Sequence, residues 1–418
     1  MRGSGVDVTQ VLFARDRRQQ LQQQILTEYQ KPLLCFTMNI AGPIKRSRLG
    51  DLAFLAGLDC LAQQLGKPLF SHLLWEDTGC EAFLVYDRPA QELKAICQSI
   101  EETAPAGRLY DMDVLDLTGE KLSRGEGRRC LVCGGPVAVC SRSRAHGLGQ
   151  ISAATRRLLM AAAPEYLAEK AVQALLEEVR LTPKPGRVDR ANNGAHRDMD
   201  LALFEKSAET LRPYFIRAVE LGMDDPHCMP QLQQEGLKAE EAMFAATGGV
   251  NTHKGALYAF GLLLAAMGSC LVRMDQLFFR ASVLASAGKA PGAETHGSDV
   301  RRQYGAKGAR QEAEEGFPSA REALAYLQSH EGDAIGALLH IMGCCADTNL
   351  LYRGGEEGLL FARDWAKRVL AAPMEQRESL LREMDEAFIE KNLSPGGSAD
   401  VLAQALFLQS TRQIWENE

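Results

Sequence analysis

The stretch "ATGGVNTHKGALYAFGLLLAAMG", residues 246–268, decides the fold class of the C-terminal part of the chain. A glycine-rich loop runs into an Ala/Leu-rich helix, with Asn251, Thr252, His253 and Lys254 at the junction. Glycine lets backbone N–H groups approach an anion closely, and a helix N-terminus adds unpaired donors and partial positive charge. The stretch therefore predicts a buried helix whose first turn faces an anionic group.

Further glycine-containing loops recur in this part of the chain, at residues 181–200, 304–318, 347–358 and 393–400. None matches the GxxxxGK[ST] phosphate-binding loop. Glycine at a helix end is commonly a simple cap, but several junctions with basic residues favour a polyphosphate pocket. The predicted nucleotide-binding residues are Lys184, His196, Gly249, Asn251, Thr252, Lys254, Gly308, Arg310, Arg353, Gly396, Gly397 and Ser398.

Carboxylates accompany these basic residues. Asp198, Asp200, Asp347 and Asp400 could hold Mg²⁺ on a triphosphate or stabilise a cationic sugar. Asp198 and Asp347 are the stronger candidates for catalysis because each lies in a loop crowded with polar groups. His253, like His196, could donate to a purine leaving group or to a phosphate. The alternatives for these residues, an N-cap, a surface charge or a structural histidine, stay open.

Length and composition place limits on the kind of protein. A chain of 418 residues is too long for one ordinary core and predicts two domains or three. The net charge of −7 argues against a general nucleic-acid binder. Eleven scattered cysteines indicate reduced thiols, and the apolar run 256–267 is too short to span a bilayer. We expect a cytoplasmic protein that binds neither nucleic acid nor membrane.

The N-terminal part has a different pattern. Helices are predicted at 10–29, 49–66 and 89–103, and strands at 33–40, 82–87 and 108–117. This alternation predicts an α/β domain, whereas the rest of the chain has only helical periodicity and predicts an all-α domain. We place the boundary near Pro164, which gives domains 1–163 and 164–418.

The motif "RLYDMDVLDL", residues 108–117, contains two aspartates on one predicted strand. Asp111 and Asp113 are two residues apart and point the same way, as carboxylates that bridge metal ions in nucleotidyl transfer must. The apolar residues around them do not alternate cleanly, which indicates a largely buried strand and favours Mg²⁺ over a solvated acidic face. Lys45 and Ser47 lie at another anion-friendly junction, and Arg129, with Arg124 and Arg128, could hold a departing pyrophosphate.

A cysteine-rich segment follows, with Cys130 and Cys133 as CxxC, then Cys140 and His146. The residue types match a Cys₃His zinc site, and the spacing is similar to that of a zinc knuckle. A redox-inert cluster, or chance spacing in a cysteine-rich chain, is the interpretation that we favour over zinc.

The C-terminal motifs together resemble triphosphoribosyl-dephospho-coenzyme A synthase. They include "EEVRLTPKPGRVDRANNGAHRDMD", "GGVNTHKGALYAFGLLLAAMG", "DTNLLYRGG" and "LSPGGSADVLAQALF", in the family's order. The resemblance implies that the ribose hydroxyl of 3'-dephospho-coenzyme A attacks the anomeric carbon of ATP and that adenine leaves. Asp198 and Asp347 would then share two roles, stabilising the sugar cation and accepting the hydroxyl proton.

The N-terminal motifs resemble the citrate lyase phosphoribosyl-dephospho-coenzyme A transferase, also called holo-citrate lyase synthase. They include "LLCFTMNIAGPIKRSRLGDLAFLAGLD", "RLYDMDVLD" and "RRCLVCGGPVAVCSRSRAH". The resemblance implies a nucleotidyltransferase-like domain that transfers the phosphoribosyl-dephospho-coenzyme A unit to a serine of the apo acyl carrier (gamma) subunit, with release of pyrophosphate. Asp111 and Asp113 would hold Mg²⁺ on the triphosphate during this step.

The two resemblances imply consecutive reactions and therefore a bifunctional enzyme. One alternative keeps the helical activity but serves malonate decarboxylase, and the N-terminal motifs argue against it. Another alternative is a nucleotide-binding regulatory protein without catalysis.

Overall fold

The computed structural model describes residues 5–125, 127–273, 275–288, 300 and 302–416. The chain divides into two compact units, Met1–Tyr166 and Leu167–Glu418. The division falls within one helix, Leu148–Arg180, which also contains Pro164. Each unit has buried apolar clusters of its own.

The N-terminal unit combines a small sheet with helices. The strands are β1 (Leu33–Met38), β2 (Phe70–Glu76), β3 (Gly79–Val85) and β4 (Tyr110–Leu115). The helices are α1 (Val8–Tyr29), α2 (Arg48–Leu65), α3 (Ala90–Thr103), α4 (Val137–Ser143) and the start of α5 (Leu148–Arg180). A short 3-10 turn, Gly107–Leu109, leads directly into β4.

The four strands form one antiparallel sheet in the order β2-β3-β1-β4. The register pairs Cys35 with Asp113 and Thr37 with Asp111, so these side chains share one face of the sheet. Helix α1 packs on that face, where Ile25 joins the apolar cluster formed by β1, β3 and β4. The face that carries the two aspartates is thus partly covered by the first helix of the chain.

Helix α2 covers the opposite face. Phe36 of β1 stacks on Phe54 of α2 with ring centroids 4.7 Å apart, and the Tyr110 hydroxyl donates to the Ala53 carbonyl at 2.9 Å. A Cβ at Gly57 would lie 2.5 Å from the Phe36 ring, so glycine is what allows helix and sheet to approach this closely. Aromatic packing against α2 therefore holds β4 on the face of the sheet opposite the two aspartates.

The predicted alternation of helices and strands in the N-terminal part is confirmed, with element ends that differ by a few residues. Strand β2 was missed, because its side chains are half-buried to exposed along the whole strand and give no strong apolar pattern. The sheet is antiparallel throughout, which differs from the parallel sheets of βαβ units.

The C-terminal unit is helical throughout the residues that the structure describes, as predicted. Its helices after α5 are α6 (Leu201–Thr210), α7 (Arg212–Asp224), α8 (Met229–Ala246), α9 (Lys254–Arg273), α10 (Leu277–Ala287), α11 (Ala309–Glu314), α12 (Pro318–Ser329), α13 (Ala334–Cys344), α14 (Thr348–Ala371), α15 (Met374–Glu390), α16 (Gly396–Ser410) and α17 (Arg412–Trp415). Helix α14 is kinked at Gly355, whose φ is +61°.

Helix α9 is the central helix of this unit, and nearly all of its residues between Ala256 and Leu271 are buried. It packs along α7 at two glycines. A Cβ at Gly222 would lie 1.8 Å from the Ala265 carbonyl oxygen, and one at Gly268 would lie 2.3 Å from the Val219 carbonyl oxygen. Larger residues at these positions would force the two helices apart.

The apolar run predicted to be too short for a bilayer belongs to a longer helix. Over its 20 residues, α9 is long and apolar enough to cross a membrane, but 83% of its most apolar window is buried inside the protein. Helices α13 and α14 pass the same test only as a pair bent by 59°. A buried core helix meets these criteria as readily as a membrane span, so neither observation makes a strong case for one.

Candidate functional site

The first candidate site is a cleft beside β4 in the N-terminal unit. It has a volume of about 230 Å³ and is lined by Lys94, Asp111, Asp113, Lys121, Leu122, Ser123, Arg124 and Arg128. After β4 the chain turns at Asp116 and comes back along the strand, where the Leu122 amide donates to the Val114 carbonyl at 2.9 Å. This return segment brings the basic residues to the aspartates.

The charges of the cleft are paired. Arg128 Nη2 contacts Asp111 Oδ1 at 2.9 Å and also Glu101 Oε1 at 2.9 Å. Lys121 forms an ion pair with Asp113, and Arg124 forms one with Glu101. Burial raises the pKa of Glu101, while the two arginines and its hydrogen bond from the Met112 amide act in the opposite direction. The result is a carboxylate pair surrounded by cations that could meet a polyphosphate.

The strand is largely buried, as predicted, but its two carboxylates are only partly buried. Asp111 and Asp113 alternate with the buried Tyr110, Met112 and Val114, and their side chains are 39% and 24% exposed. Each carboxylate contacts its cation through one oxygen. Because Mg²⁺ is usually held by one or two carboxylates together with substrate phosphates, a half-exposed pair in a cleft fits that ion.

A further carboxylate, Glu81 of β3, lies in the same row of the sheet and was missed in the sequence. Glu81 pairs with Thr37, and Thr37 pairs with Asp111 across β1. Glu81 is buried and receives two hydrogen bonds from the guanidinium of Arg18 in α1, at 3.0 and 2.6 Å. Helix α1 thus supplies, through Arg18, the positive charge that neutralises the buried Glu81.

The structure does not place the other predicted residues of this unit in the cleft lining. The Lys45 ammonium donates to the Ile40 carbonyl at 2.6 Å, and Ser47 is the N-cap of α2, accepting from the Gly50 amide at 3.1 Å. Arg129 is exposed and follows the cleft residues.

The second candidate site lies in the C-terminal unit, where the N-termini of α9, α14 and α16 meet. The Asp347 N-cap of α14 accepts from the Ser398 amide of α16 at 2.6 Å. A Cβ at Gly255, in the first turn of α9, would lie 2.3 Å from Asp400 Oδ2, and one at Gly396 would lie 3.3 Å from Arg187 Nη1. Three positive helix ends and one buried arginine therefore surround one region, which suits an anion.

Two buried polar atoms at this site have no partner among the residues that the structure describes. They are His253 Nε2 and Arg187 Nε, in side chains only 3% and 8% exposed. His253 Nδ1 lies 2.8 Å from Ser207 Oγ, which lies 2.6 Å from Thr252 Oγ1, so the imidazole is held from behind. Buried groups without a partner are rare, and these two nitrogen atoms are available to bind a ligand.

The pKa values of His253 and Asp400 indicate different roles for these two side chains. Burial, reinforced by the positive charges of Arg187 and Lys184, lowers the pKa of His253 to about 4, so the ring is neutral at pH 7. Removal from water raises the pKa of Asp400 to about 7, with Glu178 and Asp347 adding to this rise and Arg187 opposing it. Asp400 is therefore poised to gain or lose a proton near neutrality.

Asp347 is buried and accepts four hydrogen bonds. Its Oδ1 accepts from the Asn349 and Leu350 amides at 2.8 and 3.1 Å, and its Oδ2 accepts from the amide and hydroxyl of Ser398 at 2.6 and 2.8 Å. A Cβ at Gly397 would lie 3.2 Å from this carboxyl group. The geometry favours a positioning role, because one carboxylate joins the starts of two helices.

The loop 186–200 supplies a second group of predicted residues. His196 Nε2 lies 2.9 Å from Ser394 Oγ, and burial together with Arg187 and Arg353 lowers the pKa of His196 to about 4. Asp198 is exposed and acts electrostatically on His196 and Arg353. Asp200 is the N-cap of α6, accepting from the Leu203 amide at 2.8 Å, as the capping alternative predicted.

Several predicted binding residues are engaged within the chain. Lys184 is fully buried, and its ammonium contacts the Glu178 carboxylate at 2.6 Å and the Glu178 carbonyl at 2.8 Å. Lys254 forms an ion pair with Glu240, and Arg310 forms one with Glu314. Arg353 Nη1 donates to the Ala195 carbonyl at 3.1 Å. The other three are loop or cap residues: Gly249 is exposed, Gly308 is the N-cap of α11, and the Asn251 side chain accepts from the Lys254 amide.

Replacing Lys184 with methionine is expected to lower the free energy of unfolding by about 3–5 kcal/mol, because it leaves the Glu178 carboxylate buried without its countercharge. Urea unfolding measures the loss. The matched control is Lys254→Met, whose ion pair is 42% and 23% exposed and should be worth at most about 1 kcal/mol. Equal losses in the two variants would contradict a structural role for Lys184.

Sequence reasoning missed Arg187 and named Asp400 only as one of several carboxylates that could hold Mg²⁺ or stabilise the sugar, not as a catalytic residue. Arg187 lies inside the quoted glycine-containing loop 181–200, so proximity to Lys184 and His196 was the available signal. Asp400 begins the helical run after "LSPGGSA", where a carboxylate is ordinarily a cap. Its unusual environment arises only from residues far away in the sequence.

Comparison with known proteins gives two family matches. The CitG model, described as ATP:dephospho-CoA triphosphoribosyl transferase, matches residues 164–418. The CitX model, described as apo-citrate lyase phosphoribosyl-dephospho-CoA transferase, matches residues 6–162.

Relatives of the whole chain and of its C-terminal part are similar as well. Protein CitXG of Haemophilus influenzae is 35% identical, with 98% of this chain and 97% of the relative covered. Protein CitXG of Leuconostoc mesenteroides subsp. cremoris is 30% identical, with 97% of each chain covered. A 2-(5''-triphosphoribosyl)-3'-dephosphocoenzyme-A synthase of Haemophilus ducreyi is 38% identical over 67% of this chain and 99% of its own length.

Proposed function

The chain belongs to the CitX and CitG families, joined in that order, and we propose that it makes the prosthetic group of citrate lyase and attaches it. It is a bifunctional transferase. Residues 164–418 make 2'-(5''-triphosphoribosyl)-3'-dephospho-coenzyme A from ATP and 3'-dephospho-coenzyme A, with release of adenine. Residues 1–163 transfer the phosphoribosyl-dephospho-coenzyme A unit to a serine of the apo acyl carrier subunit, with release of pyrophosphate.

The main support for the first reaction is that three helix N-termini meet around Arg187 and His253. This reaction must bind a triphosphate without cleaving it, and backbone N–H groups at helix ends together with a buried guanidinium bind phosphate oxygens without attacking them. We assign the neutral imidazole of His253, held by Ser207 at Nδ1, to nucleotide binding through its unpartnered Nε2.

Asp400 is the group that we assign to proton transfer in this reaction. The dephospho-coenzyme A hydroxyl forms a bond to the anomeric carbon while the bond from that carbon to adenine breaks. Adenine leaves with the bonding electrons and takes up a proton from water. The Asp400 carboxylate accepts the hydroxyl proton, which suits a group whose pKa is raised to about 7. Asp347 positions the first turns of α14 and α16, and Asp198 remains a candidate for stabilising the sugar cation.

The cleft beside β4 supports the second reaction and a nucleotidyltransferase-like interpretation of the N-terminal unit. The carrier serine oxygen bonds to the α-phosphorus of the triphosphate, and the bond to the bridging oxygen of pyrophosphate breaks. Arg124 and Arg128 line the cleft and are placed to hold the pyrophosphate. Mg²⁺ bound by Asp111 and Asp113 would neutralise phosphate charge.

The partners follow from the two reactions. They are ATP and 3'-dephospho-coenzyme A as substrates, Mg²⁺ as cofactor, and the apo acyl carrier (gamma) subunit of citrate lyase. We place the protein in the cytoplasm, where these molecules occur together.

The test is incubation of the purified protein with ATP, Mg²⁺ and dephospho-coenzyme A, with and without the apo carrier. Chromatography should show free adenine in both samples, and mass spectrometry should show a heavier carrier in the second. Adenine without carrier modification would contradict the assignment of residues 1–163. Intact ATP under both conditions would contradict the proposed enzymatic activity and would favour a nucleotide-binding regulatory protein.

The alternative within the same chemistry is that the chain makes the prosthetic group of malonate decarboxylase. Its carrier would be modified in the same assay in place of the citrate lyase carrier. The match of residues 6–162 to the citrate lyase transferase argues against it.

A further inference from the structure

We propose that Cys130, Cys133, Cys140 and His146 form a structural zinc site. This site would hold in place the backbone around Arg128, which lines the cleft. One ligand atom from each of the four residues lies within 4.8 Å of those of the other three. A tetrahedral zinc ion with bonds of about 2.3 Å separates its sulfur ligands by about 3.8 Å. The Cys133 and Cys140 sulfurs are 3.5 Å apart, so the cluster needs only small adjustments to close around an ion.

The first two cysteines lie on a tight turn of the kind that presents two thiolates to one metal. The Val132 amide donates to Cys130 Sγ at 3.4 Å, and the Gly134 amide donates to the Cys130 carbonyl at 3.0 Å. Gly134 has a φ of +73°, a conformation that favours glycine directly after the second cysteine. The Cys130 amide closes the turn by donating to the Gly135 carbonyl at 2.6 Å.

The histidine supplies an independent observation. His146 Nε2 is buried, and no residue that the structure describes accepts from it or donates to it. A buried imidazole nitrogen without a hydrogen-bond partner, beside three thiols, is the arrangement that a soft tetrahedral ion completes. This geometry is our reason to prefer zinc over the chance spacing that the sequence alone favours.

Apolar burial contributes little to the stability of the described residues 130–146. No residue of α4 is buried, and Val137 and Val139 are 41% and 62% exposed. A short segment without an apolar core needs a metal or a covalent link to hold one conformation. Zinc coordination supplies this constraint in the reducing environment that we propose.

The turn is connected directly to the cleft. The Val137 amide donates to the Arg128 carbonyl at 3.0 Å, and Arg129 pairs with Pro136 across the base of the turn. Arg128 is the residue whose guanidinium bridges Asp111 and Glu101. Zinc would thus fix the backbone from which Arg128 reaches the aspartates, and this consequence rests on the proposed transferase function, while the zinc site itself does not.

The experiment measures metal content of the full chain, expressed with added zinc and purified under reducing conditions without chelators. We expect one zinc per chain, and tetrahedral Co²⁺ with thiolate charge-transfer absorption after cobalt substitution. Cys133→Ser should lose the metal, and His146→Cys should keep it because four thiolates also bind zinc. The control is Cys344→Ser, which removes another exposed cysteine and should retain full zinc.

Wild-type protein without zinc, with iron instead, or with a Cys133–Cys140 disulfide would overturn the site. Full zinc retention in Cys133→Ser, or equal loss in Cys344→Ser, would overturn the ligand assignment. For the cleft, protein stripped of zinc and returned to Mg²⁺ should lose carrier modification and keep adenine release. Zinc-bound protein that never modifies the carrier would instead count against the proposed function alone.

Discussion

Replacing Asp111 with alanine is expected to lower the rate of carrier modification by roughly 10³-fold while leaving adenine release unchanged. Asp111 lies in the cleft beside β4, and its removal takes away a proposed Mg²⁺ ligand and one of the two carboxylates that contact Arg128. The residues that we propose for adenine release belong to the other compact unit. Chromatography of adenine and mass spectrometry of the carrier measure the two activities in one incubation.

The matched control for this variant is Asp87→Ala. Asp87 is 76% exposed, pairs with Lys31 and does not line the cleft, so both activities should stay at the wild-type level. Loss of both activities together in a folded Asp111→Ala protein would contradict the division of labour between the units. An equal effect of Asp87→Ala would show that the loss is not specific to the cleft.

Replacing Asp400 with asparagine is expected to lower the rate of adenine release by about 10²- to 10⁴-fold, the range for loss of a general base. The amide keeps the shape of the side chain but cannot accept the hydroxyl proton. Carrier modification should continue when the triphosphoribosyl intermediate is supplied ready-made. The matched control is Asp364→Asn, an exposed position on α14 in the same unit, which should have no effect.

The pH dependence tests the same assignment. Asp400 has a pKa raised to about 7 and must be ionised to act as the base, so the wild-type rate should fall as pH drops below 7. The decline should approach tenfold per pH unit under saturating substrate. His253, with a pKa of about 4, stays neutral across this range and does not contribute to the decline of the rate with pH. An acid limb that persists unchanged in Asp400→Asn would refute the assignment.

Local patterns were sufficient for much of the architecture. The helix that follows the loop 246–253 is present as α9, and the helical character of the C-terminal part follows from its periodicity. Strand β2 could not be predicted, because a half-exposed strand depends on pairing with β3 for its existence. Asp111 and Asp113 were found from their spacing, but their exposure depends on how the sheet is covered.

Sequence by itself determined the two-part organisation, the two families and the glycine-containing loops for which we propose phosphate binding, since these follow from periodicity and from contiguous motifs. Only the tertiary structure decided how individual polar groups are used. Asp347 caps two helices, Lys184 neutralises a buried glutamate, and Asp400 acquires a raised pKa. The physical reason is that hydrogen-bond partners and desolvation come from residues distant in the chain, whose approach no local pattern records.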